Sequence, residues 1–170
     1  MIKYCGHYIT FQEVPNEVAL TLSITNCTHA CEGCHSPWLR ADIGDELTPF
    51  ELTRLIDQYR DGITCVCFMG EGTDPRALAN LILVAKVEGK KVCLYSGESI
   101  VNAISALSIL PETEWPEYLK IGPYEKSLGG LAEETTNQRM LERLPVSPYG
   151  PIYEDITSWF WNRKKEKMNE

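Results

Sequence analysis

The segment Ile63–Tyr95, ITCVCFMGEGTDPRALANLILVAKVEGKKVCLY, decides the fold. Ile63–Met69 is a short apolar run rich in β-formers and ends at Gly70, the pattern of a buried strand. Asp74-Pro75 then opens a helix. Leu78, Leu81, Ile82 and Ala85 recur at helical spacing, and Gly89 closes it. Lys91–Tyr95 is apolar and short again, a second strand. A strand, a helix and a strand with short links form a βαβ unit, whose two strands run parallel.

The same alternation extends in both directions. Val18–Thr25, VALTLSIT, is a strand. Thr48-Pro49-Phe50-Glu51 starts a helix, with Thr48 as cap, Pro49 at the first helical position and Glu51 closing a capping box. Phe50, Leu52, Leu55, Ile56 and Tyr59 continue it at helical spacing. Ile100–Leu110 reads as a helix before Pro111, and Glu117–Ile121 as a weaker strand. Right-handed crossovers curl such units toward a barrel. An eight-unit barrel usually needs at least about 200 residues, and the chain has 170. The expected fold is therefore α/β: a single domain over residues 1–170, built as a partial, open βα barrel with a mostly parallel sheet and a short C-terminal tail from about residue 163. The loops past the carboxyl ends of such strands carry function. Here they are Asn26–Pro37, Gly70–Pro75 and Ser96–Glu98.

A formal net charge of -8 argues against a phosphate-backbone partner, so no nucleic acid is expected. No apolar run approaches the roughly 20 residues of a bilayer span. The N-terminal MIKYCGHYITF lacks the apolar core and cleavage site of a signal peptide. The expectation is a cytoplasmic protein without membrane contact. In that compartment seven cysteines serve as metal ligands, catalytic groups or core residues rather than disulfides.

Three of the seven stand together. Cys27-Thr28-His29-Ala30-Cys31-Glu32-Gly33-Cys34 is a C-x3-C-x2-C run. A structural zinc site takes four ligands, and an ordinary four-iron cluster takes four cysteines. Three thiolates around a [4Fe–4S] cube leave one iron open to a substrate, and the amino and carboxylate groups of S-adenosylmethionine suit that position. A zinc site completed by His29, His35 or a distant cysteine is the competing reading. Cys65 and Cys67 share one strand face and read as core, as do Cys93 and Cys5. His29 reads as shaping the loop rather than ligating iron. Trp159, Phe160 and Trp161 suit partner docking and packing equally, and Arg163–Lys167 reads as a solvated tail.

The cysteine spacing resembles the signature of the radical S-adenosylmethionine superfamily. CTHACEGCH, with Gly33 rather than an aromatic before the third cysteine, resembles the C-x-H-x-C-x-G-C-[HY] of the anaerobic ribonucleoside-triphosphate reductase activating proteins. Phe68–Pro75 resembles that family's strand followed by Gly-Gly-Asp/Glu, with Met69 in place of the first glycine. Leu94-Tyr95-Ser96-Gly97 resembles its aromatic-[ST]-Gly element. Ile121–Tyr124, Thr135–Arg139 and Asp155–Trp161 resemble later segments, so the likeness spans about Leu20 to Trp161. Many members carry Asp where Ile121 stands.

The resemblance implies that Cys27, Cys31 and Cys34 hold a [4Fe–4S] cluster. It implies that Gly33, Cys34, His35, Gly70, Glu71 and Ser96 lie against S-adenosylmethionine, with Gly70 and Glu71 beside the methionyl amino group. Lys120 is a further candidate for cofactor contact. The implied chemistry is reductive cleavage to methionine and a 5′-deoxyadenosyl radical. That radical would take a glycine Cα hydrogen on the large subunit of anaerobic ribonucleoside-triphosphate reductase, with a donor such as flavodoxin supplying the electron. The alternatives are activation of another glycyl radical enzyme, of the formate-lyase type, and a non-catalytic zinc or iron–sulfur module.

Overall fold

The computed structural model describes residues 1–145 and 150–168, with side chains up to residue 165. Its centre is the βαβ unit: strand β4 (Cys65–Met69), helix α2 (Pro75–Val87) and strand β5 (Lys91–Tyr95), with β4 and β5 parallel. Asp74 caps α2 by accepting the Ala77 N–H at 3.0 Å, and Gly89 follows at φ +72°. Thr48 caps helix α1 (Pro49–Tyr59) through the Glu51 N–H at 3.1 Å. Ser99 caps helix α3 (Ile100–Leu107) through Asn102. Strand β2 (Ala19–Ile24) pairs parallel with β4, and strand β6 (Tyr118–Ile121) parallel with β5.

The remaining strands change the architecture from the one expected. Strands β1 (Lys3–Thr10) and β3 (Asp45–Glu46) extend the sheet on one side. Strands β7 (Arg139–Arg143) and β8 (Tyr153–Asp155) extend it on the other. The order is β3-β1-β2-β4-β5-β6-β7-β8. Four of its seven pairings are antiparallel and three parallel. The sheet is thus mixed rather than mostly parallel, and the described strands form no βα barrel. Only the central four strands follow βαβ logic. The outer ones evade sequence reading because they break alternation. In β1 the register slips between Tyr4 and His7, around Cys5 and Gly6, so its apolar residues do not stay on one face. Cys5 is consequently exposed, not a core residue.

Each sheet face buries its own core. Leu22, Phe68, Leu94 and Leu119 pack under α1 to α3 against Leu55, Leu78 and Ile82. The opposite face carries Ala19, Cys65, Cys67, Cys93, Tyr118 and Met140. It is partly covered by Leu131 and by Phe160 of helix α4 (Ser158–Met168). Cys65, Cys67 and Cys93 are fully buried, as the core reading expects. The segment 163–167 is not a free tail: it continues α4. Arg163 donates to the Phe11 carbonyl at 2.8 Å and stacks on Trp159, and Lys164 pairs with Glu133 at 2.5 Å.

Beneath the second core lies a buried carboxylate. Glu17 accepts from Tyr118 Oη at 2.9 Å, Thr64 Oγ1 at 2.5 Å and Lys91 Nζ at 2.5 Å. Burial alone raises its pKa, but these three hydrogen bonds and the Lys91 charge outweigh burial and hold it below its ordinary value. The folded-state pKa is depressed, so this stabilisation is present above the unfolded pKa, about 4.3, and is lost as pH falls through the folded value. Glu17→Gln is expected to cost about 2 kcal/mol at pH 7. In urea titrations the gap to wild type should narrow below about pH 4.3. A gap that widens in acid would contradict this account.

Candidate functional site

The register of the parallel strands builds the floor of the site. Ser23, Met69, Tyr95 and Lys120 are neighbours across β2, β4, β5 and β6 at the carboxyl ends of these strands, the last residue of β4 and β5 and the last but one of β2 and β6, and Met69, Tyr95 and Lys120 line the site. Side chains in register project to the same face. The loops that follow rise around this row and enclose a cavity of about 830 Å³.

Cys27, Cys31 and Cys34 all line this cavity, half-buried and free of disulfides. Their loop is anchored from behind. The Cys27 N–H donates to the Leu39 carbonyl at 2.9 Å, and Arg40 donates to the Cys31 carbonyl at 2.5 Å. Gly33 sits at φ +69°, and a Cβ there would lie 2.9 Å from Lys126 Cδ. The turn that brings Cys34 round to the cavity therefore favours glycine. His35 packs against Tyr124 in a tilted arrangement, 4.9 Å between ring centroids. Among the described residues, no three His, Cys, Asp or Glu side chains form a ready-made metal-binding group. Cys34 Sγ accepts from the Ser36 N–H at 3.4 Å, and Cys27 Sγ lies 3.9 Å from the His29 carbonyl.

Of the expected cofactor residues, Cys34, His35, Gly70, Glu71 and Ser96 line the same cavity. Gly33 does not line it and acts through loop shape. Gly70 adopts φ +120° with Ile24 in close contact, 3.3 Å from a built Cβ, so the turn after β4 can bend tightly into the cavity. Burial pushes the Glu71 carboxyl up, and the neighbouring Ser96 hydroxyl and His29 imidazole only partly oppose this.

Lys120 completes the floor. It is 8% exposed, and its ammonium donates to the Gly122 carbonyl at 2.7 Å. Burial lowers its pKa to about 8, and negative charge on Cys31, Glu71, Cys34 and Cys27 would oppose this; all five residues line the cavity. A lone lysine within YLKI is the signal that sequence offers for it. Other lining groups carry little signal. Tyr95 Oη donates to the Glu13 carbonyl at 2.7 Å, which brings Glu13 to the rim. Gln138 is buried, with Nε2 3.4 Å from the Gly122 carbonyl. Trp159 and Phe160 form an apolar wall of the cavity, and Phe160 also packs against the second core.

Comparison with protein-family models, with curated proteins and with solved structures gives no match. Among the described residues no helix is long and apolar enough to cross a membrane.

Proposed function

We propose that this chain is a cytoplasmic radical S-adenosylmethionine enzyme that activates a glycyl radical enzyme, namely anaerobic ribonucleoside-triphosphate reductase. The observation that carries the reading is the facing of three free thiols from one eight-residue loop onto a cavity floored by a buried lysine. The donor set fits an iron–sulfur cluster: soft thiols, on a loop, beside space not filled by protein. Ligand loops commonly tighten only when metal binds, so thiols facing one space without a preformed ligand group fit this reading.

Cys27, Cys31 and Cys34 would hold a [4Fe–4S] cluster, which supplies one electron for cleavage of S-adenosylmethionine to methionine and a 5′-deoxyadenosyl radical. The chain's own residues bind and orient. The Glu71 carboxylate and the Gly70 carbonyl suit an ammonium group, and Lys120 suits a carboxylate, so the floor offers opposite charges to a zwitterionic methionyl end. Ser96 adds a buried hydroxyl. Trp159 and Phe160 exclude water from one side. A glycine-bearing loop of a partner protein would have to reach the bound cofactor through the open side of the cavity, and a donor such as flavodoxin would supply the electron.

Gly70→Val is expected to weaken S-adenosylmethionine binding at least tenfold with iron content unchanged. A β-branched residue at φ +120° also costs about 1–3 kcal/mol in backbone strain. Binding should therefore be read at a temperature where circular dichroism shows a folded variant. Unchanged affinity would remove Gly70 from the pocket.

The partner is tested by mixing reduced, cluster-loaded protein, S-adenosylmethionine and the reductase of the same organism without oxygen. Electron paramagnetic resonance should show a glycyl radical doublet on the reductase, absent when its target glycine is changed to alanine. An equal doublet on a formate-lyase-type enzyme would overturn the choice of partner. Zinc in place of iron in the purified protein, with no cluster formed on reconstitution, would favour the binding-module reading.

A further inference from the structure

We propose that His29 is a positioning residue: its imidazole, wedged between the Glu71 and Glu98 carboxylates, fixes Glu71 toward the methionyl ammonium group. This inference rests on the proposed function. His29 Nε2 lies 3.8 Å from Glu71 Oε2 and 3.8 Å from Glu98 Oε1. The three residues come from three different loops: the cysteine loop after β2, the turn after β4 and the turn after β5. One ring therefore ties together the segments that must hold cluster and cofactor in register.

The ring has a dedicated seat. A Cβ at Gly97 would lie 2.4 Å from His29 Cδ2 and 2.6 Å from Nε2, so only glycine leaves room for the imidazole there. The far side is fixed as well, because Asn102 Nδ2 donates to Glu98 Oε2 at 2.8 Å. The order of support is thus Asn102 to Glu98, Glu98 and Gly97 to His29, and His29 to Glu71.

Glu71 needs such support. It lines both the main cavity and a second cavity of about 440 Å³ between α2 and α3. Without a fixed neighbour its carboxylate can turn into either space. The seated ring occupies the space beside Glu71 Oε2, and its removal opens that space to the carboxylate.

The test measures S-adenosylmethionine affinity of the cluster-loaded protein by anaerobic calorimetry. It compares wild type, His29→Ala, Gly97→Ala, the double variant and His29→Gln, with iron content, cluster absorbance and melting temperature recorded for each. His29→Ala and Gly97→Ala should each weaken binding about tenfold with iron unchanged. The double variant should bind no more weakly than either single one, because both remove the same contact. His29→Gln, which keeps a planar polar group at the seat, should recover most of the affinity. Wild-type affinity in both single variants, or losses that multiply in the double variant, would overturn the inference. So would loss of iron in His29→Ala, which would make the residue a scaffold for the cysteine loop. If the wild-type protein binds no S-adenosylmethionine, the proposed function fails and this inference with it. Wild-type binding matched by every variant sinks the inference alone.

Discussion

Cys31→Ala is expected to abolish the cluster, with iron after anaerobic reconstitution falling from about four atoms per chain to background. Cys27→Ala and Cys34→Ala should do the same. The reason is stoichiometric: no fourth cysteine among the described residues lines the cavity, so losing one thiol leaves two. Cys65→Ala, Cys67→Ala and Cys93→Ala should keep full iron content. These three thiols are buried in the sheet face below the floor, packed with Tyr118 and Met140. Their replacement should cost about 1 kcal/mol each in stability and nothing in cluster content. Iron retained in Cys31→Ala and lost in Cys65→Ala would reverse the assignment.

Lys120→Met should move stability and binding in opposite directions. The lysine is 8% exposed, and burial lowers its pKa to about 8, so in the protein without ligand its charge is held at a cost. Met is one atom shorter, fills most of the same space and carries no charge, so the variant should melt at a higher temperature, by roughly 2–4 °C for each kcal/mol relieved. S-adenosylmethionine affinity should fall about a hundredfold, as when one partner of a buried charge pair is removed. Calorimetry and thermal melts on the same preparations read both effects. A variant that loses stability and keeps its affinity would show that Lys120 is a structural residue held by the Gly122 carbonyl.

The centre of the fold was legible because its residues obey local rules. Thr48, Asp74 and Ser99 cap where capping chemistry places them, and ALTLSI, CVCFM and KVCLY are strands buried on both faces. The outer strands were not legible. The bulge in β1 scrambles its alternation, and β7 and β8 pair antiparallel at long range with little apolar signal of their own. Reading only the central strands leads to a parallel sheet, and the antiparallel flanks correct it. At the site, C-x3-C-x2-C and the turns after β4 and β5 announce themselves by composition. Lys120 signals only as a charge in an apolar strand. Glu13, Gln138 and the seat of His29 on Gly97 depend on tertiary packing, which sequence spacing does not encode.

The central claim is reductive cleavage of S-adenosylmethionine, and the most direct measurement is 5′-deoxyadenosine. Reconstituted protein, reduced by dithionite without oxygen and mixed with S-adenosylmethionine, should release 5′-deoxyadenosine and methionine in equal amounts by liquid chromatography. Cys31→Ala under the same conditions should release neither. A fully cluster-loaded, reduced wild-type protein that binds S-adenosylmethionine and yields no 5′-deoxyadenosine would contradict the account.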